Sequence, residues 1–218
     1  MEAAKKAYRK VQPFIPAALR NVGELHLWRR NYLWTTGWMR SRRQKMAVDA
    51  DGRPLPWYTY PSIRFLEGRI PPRATVFEFG MGNSTLWWSG RTQKVVTCES
   101  DEGWFRRIAA KMPPNVEAMV HPAAGDAYVN AAADLGEAFD ILVIDGRRRV
   151  ECCANSLKLL SEDGVVIWDN ADRERYRPGY EMLRAAGFRS IAFWGLSPMN
   201  IKESCTSIFY RSRNCLGI

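Results

Sequence analysis

Six acidic or amide side chains stand at or just beyond the ends of apolar runs, where they could do chemistry: Glu78, Glu99, Asp126, Asp145 and the pair Asp169-Asn170. Glu78 belongs to the segment TVFEFGMGNSTLWWSGR, residues 75–91. In it Val76, Phe77 and Phe79 read as a short buried strand, and Gly80-Met81-Gly82 breaks that strand. Asn83 and Ser84 can then cap a helix that starts near Thr85. Strand, glycine turn and helix start together bring backbone N–H groups up to a nucleotide-like ligand, and glycine is needed where a Cβ would hold the ligand off. Glu99 ends the next apolar run about 20 residues on, where a ribose-binding carboxylate belongs. Asp145, Asp169 and Asn170 are hard oxygen donors of the kind that suits Mg²⁺ or Ca²⁺ rather than zinc.

The glycine pattern is G-x-G-x-S, without the third glycine of a dinucleotide fingerprint. With Glu78 before it and Glu99 after it, it resembles the first two motifs of class I S-adenosylmethionine (SAM)-dependent methyltransferases. The resemblance implies that Glu78, Gly80, Gly82, Asn83 and Ser84 hold the methionine end of SAM, and that Glu99 with Ser100 holds its ribose. It places the adenine edge at Asp126, which reads equally well as a helix N-cap. Asp145 is a further candidate cofactor contact, and Tyr60, with Tyr58, a candidate lid over the pocket. Trp87 and Trp88 read as core.

Asp145, Asp169 and Asn170 are also the candidate catalytic residues. Their placement resembles metal-dependent catechol and caffeoyl-CoA O-methyltransferases, which implies a Mg²⁺ ion on these three that orients a substrate oxygen and lowers its pKa. The alternative is that they bind cofactor and substrate through hydrogen bonds alone. Those enzymes carry a lysine, a candidate base, shortly after the first Asp; here Arg147-Arg148-Arg149 follows. Arginine is a poor base but grips a carboxylate or phosphate with two parallel hydrogen bonds. The alternative for these arginines is a solvated helix start. The Asn-Pro-Pro-Tyr motif of amino-methylating enzymes is missing, since Asp169-Asn170 continues as Ala171-Asp172, and this favours an oxygen acceptor.

To line up these residues the chain must alternate strands and helices. Strands are expected at 76–79, 94–98, 116–120, 139–144, 165–168, 188–194 and 205–210, and helices at 62–68, 101–111, 150–160 and 175–186, the last ending at Gly187. That order is an α/β, doubly wound, mostly parallel seven-stranded sheet. The glycine-, proline- and asparagine-bearing loop 195–204 makes the last two strands a hairpin, so the seventh runs antiparallel, as in the class I methyltransferase fold. The expected division is a basic, aromatic-rich helical extension, 1–56, and a SAM-binding domain, 57–218.

The 218-residue chain carries a net charge of +9, and residues 1–47 hold all of it: 11 Lys and Arg against Glu2 and Glu24. Trp28, Tyr32, Trp34 and Trp38 lie among those cations, a mixture that suits packing on the main domain or peripheral contact with a membrane surface. Nucleic acid is the less favoured partner for this arm. The expected acceptor is a small molecule or a glycan. The absence of a ~20-residue apolar run argues against a membrane span. Five cysteines without a CxxC point to a reducing, cytoplasmic setting, with Cys152 on a helix surface and Cys153 in the core, or the reverse.

Overall fold

The computed structural model describes residues 2–16, 19 and 31–218. Before the sheet come α1 (Glu2–Val11), α2 (Tyr32–Thr35), α3 (Trp38–Gln44) and α4 (Tyr60–Leu66). The alternation then runs β1 (Thr75–Phe79), α5 (Asn83–Ser89), β2 (Lys94–Glu99), α6 (Glu102–Ala109), β3 (Val116–Val120) and α7 (Asp126–Asn130). It continues with β4 (Phe139–Ile144), α8 (Arg149–Ser156), β5 (Leu160–Asp169), α9 (Arg177–Ala185), β6 (Arg189–Gly195) and β7 (Ser204–Tyr210).

The sheet order is β3-β2-β1-β4-β5-β7-β6. Only β7 runs against its neighbours, pairing antiparallel with both β5 and β6. This is the class I methyltransferase fold expected above. Side chains alternate across the strands, so the sheet has a core on each face. Phe77, Phe79, Leu142, Ile144, Val166 and Trp168 pack with α7, α8 and α9 on one face. Val76, Ile141, Val143, Val165 and Ile167 pack with α4 and the tryptophans of α5, Trp87 and Trp88, on the other.

Two elements differ from the sequence reading. The β5 strand starts five residues early, and its pairing with β4 shifts register between Phe139 and Ile141. Gly164 permits the irregularity, because a Cβ there would lie 2.4 Å from Leu160 Cγ. The cysteine pair is the other difference. Cys152 and Cys153 are both buried, because α8 is flanked by α7 on one side and α9 on the other, so neighbouring positions around the helix both meet protein.

Trp28 and the rest of residues 20–30 lie outside the described residues. From Trp38 onward the extension packs on the main domain. The Trp38 indole donates to Asn200 O at 2.7 Å, buried Ser41 bonds both backbone groups of Val48, and Asn83 Nδ2 donates to Ala47 O at 2.7 Å. Tyr32 meets Tyr60 edge-on at 5.9 Å.

Candidate active site

The carboxyl ends of β1, β2 and β4 open into a cleft of about 720 Å³, as expected for an open α/β sheet. Its floor holds Gly80, Met81, Gly82, Asn83, Ser84, Glu99, Ser100 and Asp145. The sequence reading named all of these except Met81.

At the end of β1 the chain turns at Gly80, whose φ of +102° favours glycine. A Cβ there would lie 3.4 Å from the Asp145 backbone, so Gly80 also lets β1 and the end of β4 approach. Gly82 serves differently. A Cβ on it would meet nothing within 4 Å; it faces open cleft, the cradle that a bound molecule needs. Glu99 crosses from β2 to this loop. One carboxylate oxygen accepts from Met81 N at 3.1 Å, and the other from Ser100 N at 2.6 Å and Asp101 N at 2.8 Å. These contacts tie the glycine loop to the end of β2, and the open cradle at Gly82 with the carboxylate at the end of β2 fits the methionine end and ribose of SAM.

Glu78 is fully buried beneath the loop and is absent from the cleft wall. Its carboxylate accepts from the Thr85 hydroxyl, which in turn accepts from Gly82 N at 3.0 Å. Glu78 therefore shapes the helix start rather than presenting itself to a ligand. Burial raises its pKa to about 8. A carboxyl so raised holds a proton in the fold that it releases when unfolded. Its contribution is present at low pH and is lost as pH rises from about 4.5 toward about 8. Glu78→Gln should flatten that loss by up to about 1.4 kcal/mol per pH unit; thermal melts across this range check it, and parallel profiles for the two proteins would refute it.

Two expected cofactor contacts lie elsewhere. The Asp126 side chain is 89% exposed and outside the cleft wall. It is the first residue of α7, whose N-cap is Gly125, so it acts as an acid in the first turn. Tyr60, the first residue of α4, is buried against Tyr32, and burial pushes its hydroxyl up to about 12. Tyr58 is buried too, accepting from the Trp88 indole at 3.2 Å. Neither tyrosine is a lid, because both are buried in the core on the α4 face of the sheet. Trp57, between loop and cleft, stands on the wall instead.

The trio Asp145, Asp169 and Asn170 does come together, but around a cation supplied by the chain. Arg149 Nη2 donates to Asp145 Oδ1 at 2.9 Å, to Asp145 O at 3.0 Å and to Asn170 Oδ1 at 3.3 Å. Its Nη1 donates to Asp169 O, and its Nε to Gly146 O at 3.0 Å. The trio as folded does not fit a divalent ion, since the Arg149 guanidinium, itself a cation, holds Asp145 Oδ1 and Asn170 Oδ1, and the Asp169 carboxylate is turned away to Thr206. Among the described residues no group of three or more His, Cys, Asp or Glu could hold a metal.

Asp169 and Asn170 stand behind Arg149, and only Asp145 of the three lines the cleft. Asp169 Oδ1 accepts from Thr206 Oγ1 on β7 at 2.8 Å. Burial, and then the nearby Asp145, raise the Asp169 pKa to about 8. Burial also raises Asp145, against the opposing pull of Arg149.

Sequence reasoning missed the walls. Residues Lys45, Met46, Ala47, Trp104, Arg173, Tyr176 and Met199 line the cleft from four separate segments. Trp104 had a local signal. Asp101 caps α6, which places Trp104 in its first turn, and the indole reaches back to Met81 O at 2.6 Å. The non-glycine residues with positive φ among those described are Lys45, Arg148, Asn170 and Met199. Three line the cleft and the fourth touches Arg149 beside it. Such conformations cost on the order of 1–3 kcal/mol each and persist where surroundings hold them.

A family model described as a methyltransferase domain matches residues 77–171, from within β1 to just past β5. No curated protein matches the chain. Among solved structures, an O-methyltransferase from Bacillus cereus in complex with SAH is similar at 20% identity and TM-score 0.57, covering 82% of this chain and 98% of that one. A precorrin-6y C5,15-methyltransferase from Geobacter metallireducens is similar at 13% identity and TM-score 0.57, covering 78% and 96%. An rRNA methylase from Streptococcus thermophilus is similar at 15% identity and TM-score 0.51, covering 70% and 96%. At these identities the three share a fold with this chain. The methyltransferase-domain match lies across the strands that build the cleft, so residues 77–171 are similar to a methyltransferase domain within a sheet of the class I methyltransferase fold.

Proposed function

We propose that the chain methylates a hydroxyl oxygen of a small-molecule or carbohydrate-like acceptor. When bound, SAM supplies the methyl group and a good sulfonium leaving group. The chain's residues do the rest: the glycine loop and Glu99 orient the cofactor, the cleft walls exclude water, and the acceptor is held in line. The observation that carries this reading is the position of Asp145. Its backbone lies against Gly80, and its side chain lines the cleft beside the glycine loop. The Arg149 guanidinium fixes one carboxylate oxygen and leaves the other for a ligand. Burial raises the Asp145 pKa, against the pull of Arg149, which makes its carboxylate a stronger base toward an acceptor hydroxyl than an exposed aspartate.

Incubation with methyl-labelled SAM and fractionated cell extract, followed by identification of the labelled product, tests the acceptor class. Label on oxygen is expected; label on nitrogen, carbon or sulfur would overturn the reading. Asp145→Asn should lower kcat by roughly 10²–10⁴-fold with little change in SAH affinity, and an undiminished kcat would remove Asp145 from the chemistry. Because Arg149 fills the trio, EDTA should leave turnover unchanged; loss of turnover that added Mg²⁺ restores would show that a metal displaces the arginine.

The N-terminal arm is proposed to rest on an anionic lipid surface. Phe14 is 87% exposed, with Val11 and Leu19 also exposed beside Lys6, Arg9 and Lys10, a mixture suited to a headgroup region. No helix among the described residues is long and apolar enough to cross a membrane. Flotation with acidic vesicles should recover the intact chain and lose the Phe14→Asp, Lys6→Glu, Lys10→Glu variant; equal recovery would contradict it.

A further inference from the structure

The charge around the cleft is uneven in a way the cofactor does not explain. Residues 48–218 hold 21 basic and 21 acidic side chains, yet of these residues six basic and three acidic ones line the cleft, with Lys45 adding a seventh cation. Each of the three acids is engaged. Glu99 takes the backbone N–H groups of the glycine loop and α6 start, Asp145 pairs with Arg149, and Glu151 pairs with Arg148.

Three exposed arginines on the rim form no ion pair, although the charge of Arg173 is felt by Asp145. The side chains of Arg147 and Arg173 make no hydrogen bond or ion pair among the described residues. Arg175 donates to the Tyr176 hydroxyl at 3.0 Å and lies over its ring at 4.9 Å, which holds the guanidinium in place without neutralising it.

Their place in the topology separates them from the cofactor. The glycine loop and Glu99 follow β1 and β2. Arg147 follows β4, and Arg173 and Arg175 follow β5, on the opposite side of β1 from β2. The arginines therefore stand on the acceptor half, next to Asp145. Guanidinium groups are built to take a carboxylate or phosphate with two parallel hydrogen bonds, and an unpaired cluster around a cleft also draws anions toward it. The cleft volume leaves room for a small second molecule beside a nucleoside cofactor.

We propose that the acceptor is a small molecule bearing a phosphate or carboxylate group, gripped by Arg147, Arg173 and Arg175 while its hydroxyl meets Asp145. The proposal rests on the methyl-transfer reading and names the substrate class of that site.

A thermal-shift titration of the SAH-loaded chain tests it, with phosphate and malonate as probes and glucose as the neutral control, at constant ionic strength. At least one anion should stabilise the protein with a millimolar dissociation constant, and glucose should not. A response to phosphate alone or to malonate alone identifies the group. The Arg147→Gln/Arg173→Gln variant should bind the anion at least about tenfold more weakly while keeping SAH affinity within about twofold. No shift with either anion, or an undiminished shift in the double variant, would overturn the proposal. So would tight, steeply salt-dependent binding of a single-stranded RNA oligonucleotide that the same variant loses, because that would make the rim a nucleic-acid surface. Failure of SAH to bind refutes the methyl-transfer reading instead, and the anion titration is then read on the SAH-free chain.

Discussion

Replacing Arg149 with methionine is expected to cost about 3–5 kcal/mol of folding stability. The side chain is 7% exposed and donates to five acceptors on three segments: the end of β4, the turn before α8 and the end of β5. Methionine can fill the volume but leaves the partly buried Asp145 carboxylate and Gly146 carbonyl, and the buried Asp169 carbonyl, without the donors Arg149 supplied. Unpaired buried charge is the expensive case. Lysine should rescue only part of the loss, because a single ammonium cannot reach the acceptors that the planar fork reaches. Pairing the change with Asp145→Leu should recover stability, since both halves of the ion pair then leave together. Urea melts of the single and double variants check this, and a loss below about 1 kcal/mol, the range of exposed pairs, would show that the pair is not structural.

The other large effect concerns Gly82. Its φ of 177° is extended backbone open to any residue, and a Cβ would enter free space. Gly82→Val should therefore fold and melt like the parent. Its isopropyl group, however, occupies the cradle beside Glu99 and Asn83. Overpacking of that kind costs about 1–3 kcal/mol, roughly a 10–100-fold loss of SAM affinity. Gly80 is the wrong position for such a test. With φ of +102° and the Asp145 backbone 3.4 Å away, a side chain there would disturb the fold and the site together. Calorimetry at matched stability separates the two, and unchanged SAM binding in Gly82→Val would place the cofactor elsewhere.

The floor of the cleft was legible in the sequence because it is local. Strand, glycine turn and helix start occupy one run, and Glu99 follows one strand later, so residue type and spacing carry the geometry. The sheet was legible for a similar reason, including the final hairpin, which a glycine- and proline-bearing loop announces. The walls of the cleft are assembled from distant pieces. Met199 reaches the cleft through the loop between β6 and β7, and the segment with Lys45 and Ala47 is anchored by Ser41 and Asn83. No period or motif ties those positions together. Tyr58 and Tyr60 misled because aromatic residues ahead of a sheet serve equally as lid or core, and only packing decides. The oxygen trio was found, but its meaning depended on Arg149. A sequence shows that three oxygen donors and an arginine are near one another, and only the fold shows that the guanidinium sits among them.

The most direct test of the central claim is calorimetric titration of the intact chain with SAH. One equivalent should bind, with a dissociation constant of roughly 1–100 µM, the range in which enzyme ligands commonly fall. Glu99→Ala should weaken it by removing charge-assisted hydrogen bonds, each worth about 1.5–3 kcal/mol. Absence of any binding at millimolar SAH by a folded protein, or binding that Glu99→Ala leaves untouched, would contradict the assignment of this cleft as the SAM site.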